Sequence, residues 1–418
     1  MPKRIYLDHA ATTPVDPEVL EAMLPYFSEK FGNASSLHSF GQEAAEAVGE
    51  SRKILAGFFN AAPEEIIFTS GATESNNLAI KGVIRAYFRD ESNKVRKPHI
   101  ITTQFEHSCI LKACQNLEKE GIAEVTYLPV YSDGIVKAKD VKEAIKENTI
   151  LVSVMYVNNE IGTVQPIAEI GKIINEKKNA SKDKAYPLFH TDATQAVNYF
   201  DCNVGNIGVD LLSMSAHKIY GPKGVGALYV KKGTRIKQVQ DGGEQESGKR
   251  AGTLNSPGIV GLGQAIRLVE KNQKKDIKRM ELLRDYMIER VTKEIPKTRL
   301  NGSAEKRSPN NANFSFRDTE GESLLLYLDM EGVACSTGSA CSSGSLDPSH
   351  VLLAIGLKHE DAHGSLRVTL GRHTTKREIE MFIEKLKKVV GKLRKVSGDI
   401  LEEYYDNKKG EADSCACH

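Results

Sequence analysis

The sequence predicts an α/β protein, with a mostly parallel, doubly wound sheet in a large lobe and a smaller α+β lobe beside it. Two observations carry this. From about residue 60 to 230, short β-rich apolar stretches alternate with helical patterns, which is how parallel strands with crossover helices are written. The chain is also 418 residues long, more than one ordinary core accommodates, and after Pro257 a charged helical stretch runs through Ile295 and is able to bridge two lobes. The expected division is a large domain over residues 16–258, a small domain made of 1–15 and 259–405, and a flexible tail over 406–418.

The strands are read at Glu65 to Thr69, His99 to Thr102, Val125 to Leu128, Ile150 to Val157, Leu188 to His190 and Leu211 to Ser213. In such sheets ligands collect outside the carboxyl ends of the strands, so the residues just past those ends are the ones to search. Further on come a Gly/Ser-rich segment, Ser336 to Ser345, a periodic helix from Arg377 to about Val396, and a polar tail.

Composition narrows the function. Lys and Arg number 57 against 55 Asp and Glu, a balance that argues against a nucleic-acid or anionic-membrane surface and for a small substrate. No apolar segment of signal-peptide length follows the basic start, and apolar runs such as Ile150 to Met155 fall far short of the roughly 20 residues that span a bilayer. Seven irregularly spaced cysteines do not make a secreted disulfide framework, so reduced thiols in a cytoplasmic protein are expected.

Past the first of these strands lies Ser70-Gly71-Ala72-Thr73-Glu74-Ser75, with a helix expected to open at Leu78. Free N–H groups and hydroxyls there suit an anion such as phosphate, although an ordinary helix cap reads the same way. Asp192 follows a buried strand and needs a cation or donor to offset its desolvation; a protonated pyridine nitrogen would serve, and so would a helix N-terminus. Lys218 sits in Ser215-Ala216-His217-Lys218-Ile219-Tyr220-Gly221-Pro222-Lys223, where neighbouring cations favour the amine form that imine chemistry requires, with Lys223 as rival. His107 and Asn159 come after two further strands. Cys341 stands in a loop of small residues, an unusual place for a thiol that normally seeks burial, and as thiolate it can attack sulfur and be left as a persulfide. Arg367, in Ser365-Leu366-Arg367-Val368-Thr369, can grip a carboxylate through two parallel bonds or pair on the surface with an acid.

Taken in order, Tyr6 to Pro14, Thr69 to Asn77, Phe105-Glu106-His107, Val157 to Gly162, His190 to Ala196, Ser215 to Gly224 and Gly338 to His350 resemble the NifS/IscS cysteine desulfurases over nearly the whole chain. That resemblance implies a homodimeric, fold-type I, class V aminotransferase-like enzyme that uses pyridoxal 5'-phosphate. It implies that Lys218 carries the cofactor as a Schiff base, Asp192 pairs the pyridine nitrogen, Gln195 bonds the phenolic oxygen and His107 stacks on the ring. Ala72, Thr73, Ser215 and His217 would hold the phosphate, with Thr253 reaching it from the other subunit. Asn159 and Arg367 would bind the carboxylate of L-cysteine, and the Cys341 thiolate would take its sulfur, releasing alanine. The persulfide would pass to an acceptor such as an iron–sulfur scaffold protein, with Cys341 as a transient cluster ligand and no firm metal site.

Some positions depart from the pattern. Glu244 and Ser247 stand where relatives commonly carry glycine and arginine, and Lys177 to Tyr186 resembles a surface insertion. Cys335 is either a resolving partner for Cys341 or a small loop residue, and Cys415, Cys417 and His418 are either ligands or a frayed end. A selenocysteine lyase is the nearest rival reading, and a catalytically silent sulfur-transfer scaffold is the rival from another class.

Overall fold

The computed structural model describes residues 4–90, 96–181, 184–337 and 348–414, with side chains up to residue 396. Strand β1 (Ile5–Tyr6) opens the described chain. Strands β2 (Ile66–Thr69), β3 (His99–Thr103), β4 (Glu124–Leu128), β5 (Thr149–Ser153), β6 (Leu188–Asp192), β7 (Leu211–Ser215) and β8 (Gly226–Val230) form one sheet in the order β2-β8-β7-β6-β5-β3-β4. The ladders from β4 to β7 are parallel, while β8 opposes both β7 and β2. Since β2 and β7 both oppose β8, they run in the same sense. The carboxyl ends of β2, β3, β5, β6 and β7 therefore open on one edge of the sheet, and the expected α/β class is borne out.

Every residue of β2, β3, β5, β6, β7 and β8 is buried, as strands must be when helices cover both faces. Successive side chains alternate between two cores: Ile66, Phe68, Ile101 and Val152 enter one, and Ile67, Ile100 and Leu151 the other. The first is closed by helices Ser39–Phe59 and Ile167–Ala180, the second by helices Ala72–Tyr87 and Ser108–Lys119.

The helix after β2 begins at Ala72, six residues before the expected Leu78. Gly71 makes this possible, at φ 150° and ψ 179°, a conformation closed to side-chain-bearing residues. The Glu74 carboxylate accepts the Ser70 N–H at 2.7 Å, and the polar run Thr73 to Asn77 is absorbed into the first turns.

Strands β9 (Thr298–Leu300), β10 (Asn311–Phe316), β11 (Val333–Ala334) and β12 (Ser365–Thr369) belong to a second core. β12, β10 and β9 form an antiparallel sheet, and β11 pairs in parallel with β1. Ile5, Leu7, Phe314, Leu324, Leu366 and Phe382 fill it. Helix Ser256–Glu294, about 58 Å long at ~1.5 Å per residue, joins the cores: Ile259, Leu262 and Ile266 enter the large one, Met287 and Val291 the small one. Val351, Leu352, Ile355 and Leu357 also pack into the large core.

Between the cores lies a polar seam. Arg307 is buried, with no carboxylate partner among the described residues, and donates instead to the carbonyls of Ile161 (2.6 Å), Ser303 (3.0 Å) and Asn301. The amides of Asn311 and Asn313 donate to the Glu160 carbonyl at 3.3 and 3.2 Å. These bonds hold the loop that carries Asn159. No helix among the described residues is long and apolar enough to cross a membrane.

Candidate active site

A cavity of about 570 Å³ opens at the strand ends. Ala72, Thr73, His107, Asn159, Asp192, Gln195, Ser215, His217, Lys218 and Arg367 all line it, and so does Lys223. Residues read separately along almost 300 positions of sequence are thus brought to one place.

One end suits an anion. Gly71, Ala72 and Thr73 form the start of a helix, where N–H groups lack intrahelical partners and the dipole is positive. Ser215 closes β7 opposite them; a Cβ on Gly71 would stand 3.6 Å from its Oγ. His217 Nδ1 lies 3.1 Å from Thr12 Oγ1. Burial, then the charges of Lys218 and Lys223, push His217 down to about 4, so it serves as a neutral hydrogen-bonding group at physiological pH.

At the middle, Asp192 ends β6 with 6 % exposure. Its Oδ1 accepts the Thr194 N–H at 2.9 Å and its Oδ2 accepts from Asn76 Nδ2 at 2.7 Å. Lys218 Nζ donates to the carbonyls of Ala10 (2.5 Å) and Ala11 (2.7 Å), and Gln195 Nε2 donates to Ala10 at 3.0 Å. The Ala10-Ala11 segment is moored by Thr13, whose N–H (2.9 Å) and Oγ1 (3.0 Å) both donate to the His217 carbonyl. His107 caps helix Ser108–Lys119, accepting the Cys109 N–H at Nδ1. Glu106, fully buried, takes the Met155 N–H (2.8 Å) and Thr103 hydroxyl (2.9 Å) at Oε1, and burial pushes it up to about 8.

The far wall comes from the small core. Arg367 on β12 is 3 % exposed, donating to Asp8 Oδ1 at 2.8 Å and to the Asn159 carbonyl at 3.0 Å. Its Nε has no partner among the described residues, leaving a buried donor available to a carboxylate. The backbone of Arg367 also pairs with Ser336, so the strand that seats the guanidinium holds the stem leading to residue 338.

Other positions fall elsewhere. Cys341, Cys415, Cys417 and His418 lie outside the described residues. Thr253 is exposed and does not line this cavity. Glu246, between Glu244 and Ser247, is buried and takes both Arg52 Nη groups at 2.8 and 2.6 Å, away from the cavity. Burial pushes the Cys335 thiol up to about 12, which makes it a poor thiolate and favours its reading as a small packing residue. The sequence reading missed Asn76, Cys109, Glu106 and Asp8 as site residues. Only Cys109 left a local signal, two positions after a histidine that opens a helix, where capping bonds form.

The chain matches the family model described as aminotransferase class-V over residues 5–382. It is 52 % identical over 410 residues to a cysteine desulfurase IscS of Dictyoglomus turgidum, covering 98 % of this chain and 100 % of the relative. A solved structure titled NifS-like protein superposes with a TM-score of 0.84 at 35 % identity, covering 93 % of this chain and 100 % of the other. A second, titled SspA in complex with cysteine, does so at 0.75 and 38 % identity, covering 89 % and 100 %. The resemblance read from the motifs is thereby borne out: the chain belongs to the class-V aminotransferase family and, within it, to the IscS-type cysteine desulfurases.

Proposed function

We propose that this enzyme converts L-cysteine to L-alanine and keeps the sulfur as a persulfide on Cys341, using pyridoxal 5'-phosphate bound in the cavity described above. The observation that carries the reading is the convergence of Lys218, Asp192, His107 and the N-terminus of helix Ala72–Tyr87 on one hollow, with Arg367 opposite. Enzymes of this family are pyridoxal-phosphate dependent, and the residues present suit that group. An amine, a carboxylate with lone pairs to spare and an anion-binding helix start fall within a volume typical of cofactor pockets, ~300–1,000 Å³.

When bound, the cofactor supplies an electrophilic carbon and a cationic ring that accepts the electron pair released at the substrate Cα. Lys218 is the amine that would hold it and afterwards move protons at Nζ. Asp192 would keep the ring nitrogen protonated through the carboxylate that Asn76 and Thr194 orient. Gln195 would donate to the phenolic oxygen, Ala72, Thr73, Ser215 and His217 would hold the phosphate, and His107 would cover the ring. Arg367 and Asn159 fix the substrate carboxylate, which sets the sulfur's direction. The Cys341 thiolate attacks that sulfur; the Cβ–Sγ bond breaks, Cβ keeps its electron pair and takes a proton, and alanine leaves. Thr253 reaches a phosphate in the other subunit of a homodimer, and the persulfide passes to an acceptor for iron–sulfur assembly.

The test is mass spectrometry of full-length protein treated with pyridoxal phosphate and L-cysteine. The Cys341 peptide is expected to gain one sulfur atom, and Cys341→Ala to lose persulfide while retaining the cofactor's visible absorbance. Extra sulfur on a different cysteine, or undiminished sulfide release from Cys341→Ala, overturns the assignment.

A further inference from the structure

Cys109 lines the cavity and Asn76 sits behind its wall, and neither plays a part in the reading above beyond the bond from Asn76 to Asp192. Asn76 is 0 % exposed, on the first turns of helix Ala72–Tyr87. Its Nδ2 spends one hydrogen on Asp192 Oδ2 at 2.7 Å and points the other at Cys109 Sγ, 3.1 Å away. The amide is oriented this way round because a carboxylate oxygen only accepts. Cys109 Sγ lies 3.0 Å from His107 Nδ1, and the Cys109 backbone N–H meets the same nitrogen at 3.2 Å.

Two groups in this chain are able only to donate, and they decide where every proton sits. A backbone N–H has no lone pair, so His107 Nδ1 must be the acceptor and is bare; in the neutral ring the proton is then on Nε2. The sulfur receives a hydrogen from Asn76, and with Nδ1 bare its own S–H turns to the same Nδ1 lone pair that the Cys109 backbone N–H meets, a shared contact. Protonating Nδ1 would set N–H against N–H and place a positive charge at a helix N-terminus, where the dipole opposes it. The reverse arrangement, Nδ1–H toward the sulfur, fails for the same reason: it leaves the cap without an acceptor.

We propose that Asn76 and Cys109 are positioning residues of the reaction: the chain Asp192 Oδ2, Asn76 Nδ2, Cys109 Sγ, His107 Nδ1 fixes His107 as its Nε2–H tautomer and ties its ring orientation to that of Asp192. The inference rests on the reading that Asp192 and His107 grip the cofactor ring from two sides. Under it, His107 exchanges protons with the reacting groups through Nε2 alone, and the carboxylate at the ring nitrogen and the imidazole over the ring move as one unit.

The experiment uses full-length holoenzyme labelled with ¹⁵N-histidine, as wild type and as Cys109→Ala, Cys109→Ser and Asn76→Ala. Wild type is expected to show His107 with a bare Nδ1 and a protonated Nε2. Cys109→Ala keeps the backbone cap but loses the second donor, giving a mixture of tautomers and a kcat lowered about tenfold, the worth of one hydrogen bond, with KM within about twofold. Cys109→Ser returns an O–H donor and restores both. Asn76→Ala shifts the pH midpoint of the cofactor's visible absorbance by freeing Asp192. A protonated Nδ1 in wild type overturns the proposal, as does a Cys109→Ala enzyme with unchanged tautomer, or one whose lost kcat serine does not recover. Retention of visible absorbance and borohydride labelling of Lys218 in these variants separates such a failure from failure of the functional reading.

Discussion

The interior of the central sheet and its carboxyl-end edge both bury ionisable groups, and the fold completes them differently. Within the sheet, His99 bridges β4 and β5 through Thr126 Oγ1 and Thr149 Oγ1, each at 2.8 Å, and His190 bridges β5 and β7 through Ser153 Oγ (2.9 Å) and Ser213 Oγ (3.0 Å). Both ring nitrogens are used in each, and burial lowers both histidines toward a permanently neutral state. At the edge, Glu106 Oε2 and Arg367 Nε have no partner among the described residues. A buried polar group costs free energy until it is paired. The two completed histidines therefore act as cross-strand staples, whereas Arg367 and Glu106 keep an atom with which to meet a ligand or hold a proton.

The comparison predicts that substituting edge residues that line the cavity acts on chemistry, while substituting the interior histidines acts on stability. The largest effect belongs to Lys218→Ala, expected to lower alanine release at least about 10⁴-fold by removing the amine while the urea unfolding midpoint stays near wild type. Activity above ~1 % of wild type would move the reactive amine elsewhere, Lys223 being next. His99→Ala is the converse. Two cross-strand bonds and the ring's volume are lost, which costs about 3 kcal/mol of stability, measured by urea unfolding, while kcat stays within about twofold. A large loss of kcat with intact stability would collapse the distinction between staple and site.

How far the sequence revealed this site follows the same division. Lys218, Asp192 and His107 were legible because each falls within a few residues of a continuous apolar run, and the edge where parallel strands end is where ligands bind. The other strands of the sheet were legible for the same reason, since strands covered on both faces have no polar alternation to confuse them with surface, but β8 (Gly226–Val230), equally buried, went unread because it follows the Gly/Pro-punctuated loop after Lys218. The start of helix Ala72–Tyr87 was not, because Thr73, Ser75, Asn76 and Asn77 favour turns in isolation and only Gly71 and the Glu74 bond to Ser70 settle the matter. Asn76 escaped notice because its partners lie 33 and 116 positions away. Arg367 was expected on an alternating strand; every residue of β12 is buried, with the guanidinium anchored by Asp8 from the first turn of the chain.

Smaller effects test the incomplete groups themselves. Arg367→Lys keeps the charge but removes the planar fork and the unpaired Nε, so KM for L-cysteine is expected to rise about thirtyfold, ~2 kcal/mol, with kcat changed less; an unaltered KM would detach Arg367 from the substrate. Glu106 supplies the finest test. Its folded carboxyl is raised to about 8 from the ordinary 4.5, chiefly by burial and then by the Asp192 charge, with the bonds from Met155 and Thr103 opposing. Between those values the folded protein binds more protons than the unfolded chain, so stability falls as pH rises through the window and levels off above it. His9, His99, His190 and His217 are lowered by burial and act in the opposite sense, through and just above the ordinary 6.5. The difference between wild type and Glu106→Gln, an uncharged near-isostere of the protonated acid, cancels them and isolates Glu106. Between pH 6.5 and 8 that difference is expected to move in favour of the variant by about 1 kcal/mol per pH unit, leaving Glu106→Gln the more stable at pH 8. A difference that stays constant with pH, or that moves in favour of wild type, would mean that Glu106 is ionised and that its second oxygen is paired after all.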